Sequence, residues 1–151
     1  MNHQPTITLK TIIDAFEIDT IDNFYQRDVV VEKTRSALIS AKSLMEKLSL
    51  VSESNYLAFI DELKDLGCSI VDSSFQKKNI TVNIYGITYI MSWGDEASKA
   101  EPDNSITRIC SLEFGVCQIV TDMLMDILVR NFNSVCFSSE EYQYIRSKLT
   151  I

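Results

Sequence analysis

The stretch "ITVNIYGITYIMSW", Ile80 to Trp93, alternates apolar and polar residues, while the segments on either side of it repeat at helical spacing. Alternation puts every second side chain on one face of a strand, and a period near 3.6 puts every third or fourth on one face of a helix. A chain that switches from one period to the other and back must build a sheet flanked by helices. Within the alternating stretch Ile80, Val82 and Ile84 share one face, with Thr81, Asn83 and Tyr85 on the other. Ile87, Tyr89, Met91 and Trp93 likewise fall together. Cys68–Phe75 supplies a first, partly β-branched strand, Lys77-Lys78-Asn79 the first turn, and Gly86 either a tight second turn or a bulge. The pattern predicts a three-stranded antiparallel meander, with one longer bulged strand over Ile80–Trp93 as the alternative.

The flanking segments predict helices. Leu9 to Glu17 carries Leu9, Ile12, Ile13 and Phe16 at helical spacing, and Asp22 to Leu48 carries an apolar stripe of Phe24, Val31, Leu38 and Met45, filled in by Thr34, Ala41 and Leu48. In "SESNYLAFIDELKDLG", Ser52 or Ser54 caps a third helix and Gly67 ends it, with Tyr56, Leu57, Ile60, Leu63 and Leu66 as its apolar face. A long helix is expected from Ile106 to Asn131, capped by Asn104 or Ser105. Its polar stripe is narrow (Ser111, Gln118, Asp122, Asp126, Arg130), so it must be covered on several sides, and it is the element expected to cover the sheet. "SSEEYQYIRSKL" has a serine cap, early glutamates and late basic residues, the charge order that suits a helix dipole. The order is α-α-α-β-β-β-α-α, an α+β fold in one domain over residues 1–151.

With 151 residues the chain can bury about 68–70% of the surface it exposes when unfolded, enough for a real core. Its 21 acidic and 14 basic side chains give a net charge of −7. That argues against general nucleic-acid binding, which runs on basic groups displacing phosphate counterions, and against docking on an anionic membrane surface. The start "MNHQPTITLKTIIDAF" lacks the basic and apolar regions of a signal peptide, and Glu113, Asp122 and Asp126 interrupt the most apolar long stretch. The expected location is cytoplasmic. Cys68, Cys110, Cys117 and Cys136 show no CxxC spacing, and buried thiols acting as small apolar side chains are the expected role.

Most reaction chemistries lack their residues. The single histidine, His3, stands near the chain's start, which removes the usual general base and most His-containing metal sites. No phosphate loop, dinucleotide-binding turn, nucleophile elbow or calcium loop is written in the sequence. Carboxylate clusters remain: Asp14, Glu17, Asp19 and Asp22 early in the chain, and Asp122 with Asp126 one helical turn apart. The second pair is expected to form the wet edge of its helix, with a divalent cation as the alternative. The expectation is no enzyme, no cofactor and no metal.

One feature is left. "SWGDEASKAEPDNS", Ser92 to Ser105, places Asp95, Glu96, Glu101 and Asp103 against one Lys99 in a connecting segment, directly after Trp93. Plain solvation produces such a segment, and so does a docking surface. Carboxylates in a loop stand in for phosphates before a basic groove and raise the encounter rate with a positive partner, and a tryptophan beside them anchors binding well. The partner-binding candidates are therefore Trp93, Asp95, Glu96, Glu101 and Asp103. The function expected is a non-catalytic module that binds a basic protein, most concretely a bacterial immunity or inhibitor protein that neutralises a basic toxin such as a nuclease. A homodimeric secretion chaperone and a metal-dependent enzyme using the acidic clusters are the alternatives; the oligomeric state is not written in the sequence.

Overall fold

The computed structural model describes residues 7–23, 27–48, 50–94, 106–131 and 139–149. They form the α+β architecture: α1 (Leu9–Asn23), α2 (Arg27–Lys47), α3 (Glu53–Asp65), β1 (Ser69–Ser74), β2 (Asn79–Ile84), β3 (Ile87–Ser92), β4 (Thr107–Ser111), α4 (Leu112–Asn131) and α5 (Ser139–Ser147). The chain divides into two compact units, Met45–Ile119 and the pair of segments Met1–Leu44 and Val120–Ile151.

The first of these holds the sheet, in the order β1-β2-β3-β4. β1, β2 and β3 are the expected antiparallel meander. Ile84 pairs with Ile87, so the connection is two residues long, and both Tyr85 (φ 56) and Gly86 (φ 76) have positive φ. That is the type I′ hairpin turn, whose twist matches the strands it joins. The tight turn is thus the arrangement adopted. The irregularity lies instead in β1, between Ile70 and Asp72.

The long helix begins later than its apolar spacing suggests. Thr107–Ser111 is a fourth strand, parallel to β3, with Ile90 opposite Ile109 and Met91 opposite Cys110. The β-branched residues of "ITRIC" suit a strand, and their spacing also continues the helical pattern that follows, so periodicity alone assigned them to the helix. Ser111 ends the strand and caps α4, its Oγ accepting from the Phe114 N–H at 3.2 Å.

One face of the sheet is the core of this unit. Ile80, Val82, Tyr89, Met91 and Cys110 are each at most 1% exposed. α3 contributes Tyr56, Phe59, Ile60 and Leu63. Its expected boundaries hold: Ser52 is the N-cap, accepting from Asn55 N–H at 3.2 Å, and Gly67 (φ 99) follows the last turn. Leu57, expected on the apolar face, is exposed, and Phe59 occupies the buried position. The first two turns of α4 lie on the sheet at Gly115, close to Met91 and Cys110.

The second unit is helical. α1 buries Leu9, Ile13, Phe16 and Thr20, at intervals of four, three and four residues, and α2 buries Val30, Thr34, Leu38 and Ala41. α1 runs past the expected Glu17 because Thr20 continues its buried stripe. The Thr20 hydroxyl donates to the Glu17 carbonyl at 2.7 Å and accepts from the Asn131 side chain at 2.7 Å, so burial leaves it paired. In α4, Val120, Leu124, Met125, Ile127 and Leu128 are all buried, while Asp122, Asp126 and Arg130 keep the narrow polar stripe. Among the described residues no helix is long and apolar enough to cross a membrane.

Candidate protein-interaction site

The carboxylates Asp95, Glu96, Glu101 and Asp103 lie outside the described residues. What the structure fixes is where their segment leaves the sheet and where it returns. It leaves after Trp93, whose backbone N–H donates to the Lys78 carbonyl at 3.3 Å, and returns at Ile106, whose carbonyl accepts from the Thr88 N–H at 2.8 Å. Both attachments are to the meander.

The parallel pairing of β3 and β4 explains the length of the connection. The chain leaves β3 beyond Ser92, which pairs with Ser111, and must come back to the level of Thr88, which pairs with Thr107. Four residues of strand are about 13 Å at roughly 3.3 Å each. A parallel connection of this kind takes a dozen residues or more. Strand direction therefore accounts for the segment's length, and only its composition asks for a further explanation.

Trp93 is half-buried. Its ring lies 5.8 Å from that of Tyr56, which lies 5.5 Å from that of Phe75. The three rings join the end of β3, the first turns of α3 and the β1–β2 turn. Such tilted pairs contribute about 0.5–1.5 kcal/mol each beyond simple burial. The Tyr56 hydroxyl is buried and has no hydrogen-bond partner among the described residues. Lys78, itself at φ 54, lays its side chain along Gly94: a Cβ at that glycine would meet Lys78 Cδ and Nζ at 3.3 Å. A cationic side chain thus stands at the root of the acidic segment, one residue before Asp95.

The other acidic clusters are taken up by bases. Asp122 Oδ1 is 2.9 Å from Arg146 Nη1, and Asp126 Oδ2 is 3.0 Å from Arg130 Nε. Glu17 meets the same Arg130 at 3.7 Å, Asp19 meets Lys33 at 3.5 Å, and Asp14 meets Lys10 at 3.3 Å. The Asp22 side chain and His3 lie outside the described residues, as does Cys136. Among the described residues no group of three or more His, Cys, Asp or Glu side chains is placed to hold a metal ion. The Cys68 and Cys110 thiols are buried and Cys117 is half-buried; burial pushes the Cys68 thiol up to about 11.

Sequence reasoning missed the contacts that hold α5. Glu141 receives a two-pronged hydrogen bond from Arg27, with Nε to Oε2 at 3.0 Å and Nη2 to Oε1. These residues are 114 apart in the chain, and no local pattern marks them as partners. That hydrogen bond holds the Glu141 carboxyl below the usual carboxylate range. No protein-family model, curated protein or solved structure matches this chain.

Proposed function

We propose that this protein is a non-catalytic binding module that captures a basic protein, in its most concrete form a cytoplasmic immunity or inhibitor protein that neutralises a basic toxin such as a nuclease. The observation that supports this reading is the attachment of the acidic segment. Four carboxylates sit in a connection whose two ends are hydrogen-bonded to the meander, at Lys78 in the β1–β2 turn and at Thr88 of β3. Fixed ends limit how far the carboxylates can spread and lower the ordering cost of presenting them together to a partner. The charge of −7 adds a long-range attraction for a basic surface. Trp93, half-buried at one of these ends, supplies an apolar edge beside the charge.

The reading is tested by affinity capture from the cell that makes the protein, at low salt, with identification of what is retained. A basic protein, retained at about 50 mM salt and released by about 0.5 M as screening shortens the reach of the charges, is the expected result. A retained partner that is acidic, or held equally at both salts, contradicts the reading. A small-molecule turnover by the purified chain would contradict it too.

A further inference from the structure

We propose that α5 is a salt-releasable strap, docked on α2 and α4 chiefly through arginine contacts and able to open while the helices beneath it stay folded. Its attachment is unusual in composition. Along Ser139–Ser147 only Ile145 is a buried side chain, 2% exposed. Glu141, Tyr142, Tyr144 and Arg146 are half-buried, and three arginines hold the helix through polar or cationic contacts. Arg27, at the start of α2, grips Glu141 in the first turn of α5 and lies over the Tyr144 ring at 4.4 Å from its centre. Arg35 donates to the Lys148 carbonyl just past the end of α5, satisfying one of the acceptors that a helix end leaves open. Arg146 reaches Asp122 of α4 at 2.9 Å.

The two α2 contacts fix the direction of the strap. The start of α5 meets the start of α2, and the end of α5 meets α2 two turns further on, so the two helices run parallel. Arg27 to Arg35 spans about 12 Å of helix and Glu141 to Lys148 about 10.5 Å, so both clamps close in one register. The Arg27 clamp is open to water, its Arg27 and Glu141 side chains 50% and 25% exposed, whereas the Arg146 Nη1 that meets Asp122 is buried. An ion pair as accessible as Arg27–Glu141 weakens as salt screens it. An element with one fully buried side chain, clamped at its start by an exposed ion pair, belongs to the part of a fold that opens first. By contrast α4 is held by a continuous run of buried side chains that salt does not weaken. Opening would bare the seat of Ile145 and free Arg27, Arg35 and Asp122.

Amide hydrogen exchange on the full chain at neutral pH, in 0.05 M and 1 M sodium chloride, tests the strap. Exchange of the α5 amides is expected to quicken by about tenfold or more between the two salts, measured against unstructured peptide of the same sequence, with Val120–Asn131 unchanged. Arg27→Gln should bring the fast rate to low salt and abolish most of the salt response, with the far-UV circular dichroism of the other helices retained. Equal α5 exchange at both salts in the unaltered protein, whether slow or fast, would overturn the proposal. So would parallel quickening of α5 and α4.

Discussion

Gly115 stands against Met91 with no room for a methyl group: a Cβ there would lie 2.8 Å from Met91 Cγ and 3.0 Å from Cys110 Sγ. A glycine inside a helix costs about 1 kcal/mol relative to alanine, and this contact is the structural reason the helix carries one. It sets how closely α4 approaches the sheet. Gly115→Ala is therefore expected to destabilise the protein by about 1 kcal/mol, the overpacking of roughly 1–3 kcal/mol outweighing the helix gain. Urea unfolding measures it. In a Met91→Ala background the same change should become neutral or stabilising, and that reversal of sign assigns the effect to this pair.

The β2–β3 turn offers two substitutions of opposite sign. Tyr85 and Gly86 both occupy positive φ, and Tyr is poorly suited to that region. Tyr85→Asn creates the Asn-Gly pair that type I′ turns prefer and should stabilise by about 0.5–1 kcal/mol. Gly86→Ala should destabilise by about 1–2 kcal/mol, since nothing crowds the position but the backbone is strained for any other residue. Melting temperatures of the two variants, moving in opposite directions, check the turn.

Stability should fall in alkali through Cys68. Burial raises its thiol from 9.0 to about 11, so between those values the unfolded chain has lost this proton and the folded chain has kept it. Stability then declines as pH rises, by about 1.4 kcal/mol per pH unit and 2–3 kcal/mol across the window. The difference between the wild type and Cys68→Ala, each unfolded in urea from pH 8 to 11, isolates this slope from other titrations.

Acid should act on α5. The Arg27 hydrogen bond lowers the Glu141 carboxyl below its usual 4.5, with Tyr144 and Asp28 the other titratable groups near that arginine. A lowered carboxyl stabilises the folded state above the unfolded value, and the contribution disappears as pH falls through the folded value. Exchange of the α5 amides, corrected for intrinsic rate, should therefore rise below about pH 4.5, and Glu141→Gln should show the fast behaviour already at neutral pH.

Much of this fold is legible in the sequence because burial imposes period. Ile80, Val82 and Ile84 alternate because every second strand residue faces the core. Ser52 and Gly67 bound α3 because a helix needs a side-chain acceptor at one end and a left-handed residue past the other. The fourth strand was hidden because Ile106, Ile109 and Leu112 fit helical spacing as well as Thr107–Ser111 fits a strand. Only the pairing with β3, set by contacts distant in sequence, decides between them. The same limit hid the Arg27–Glu141 clamp. It also obscured the reason for the long acidic connection, whose length follows from strand direction. Its four carboxylates were visible from composition alone, and the aromatic neighbours of Trp93 were not.

In the proposed function these carboxylates form the negative face that a basic partner binds. The direct measurement is the affinity and association rate of the captured partner for the wild type and for a variant carrying Asp95→Asn, Glu96→Gln, Glu101→Gln and Asp103→Asn, at about 50 mM salt. Association should slow by about tenfold or more in the variant, with a flatter salt dependence and an unchanged melting temperature. An unchanged rate and affinity in a folded variant would contradict the account.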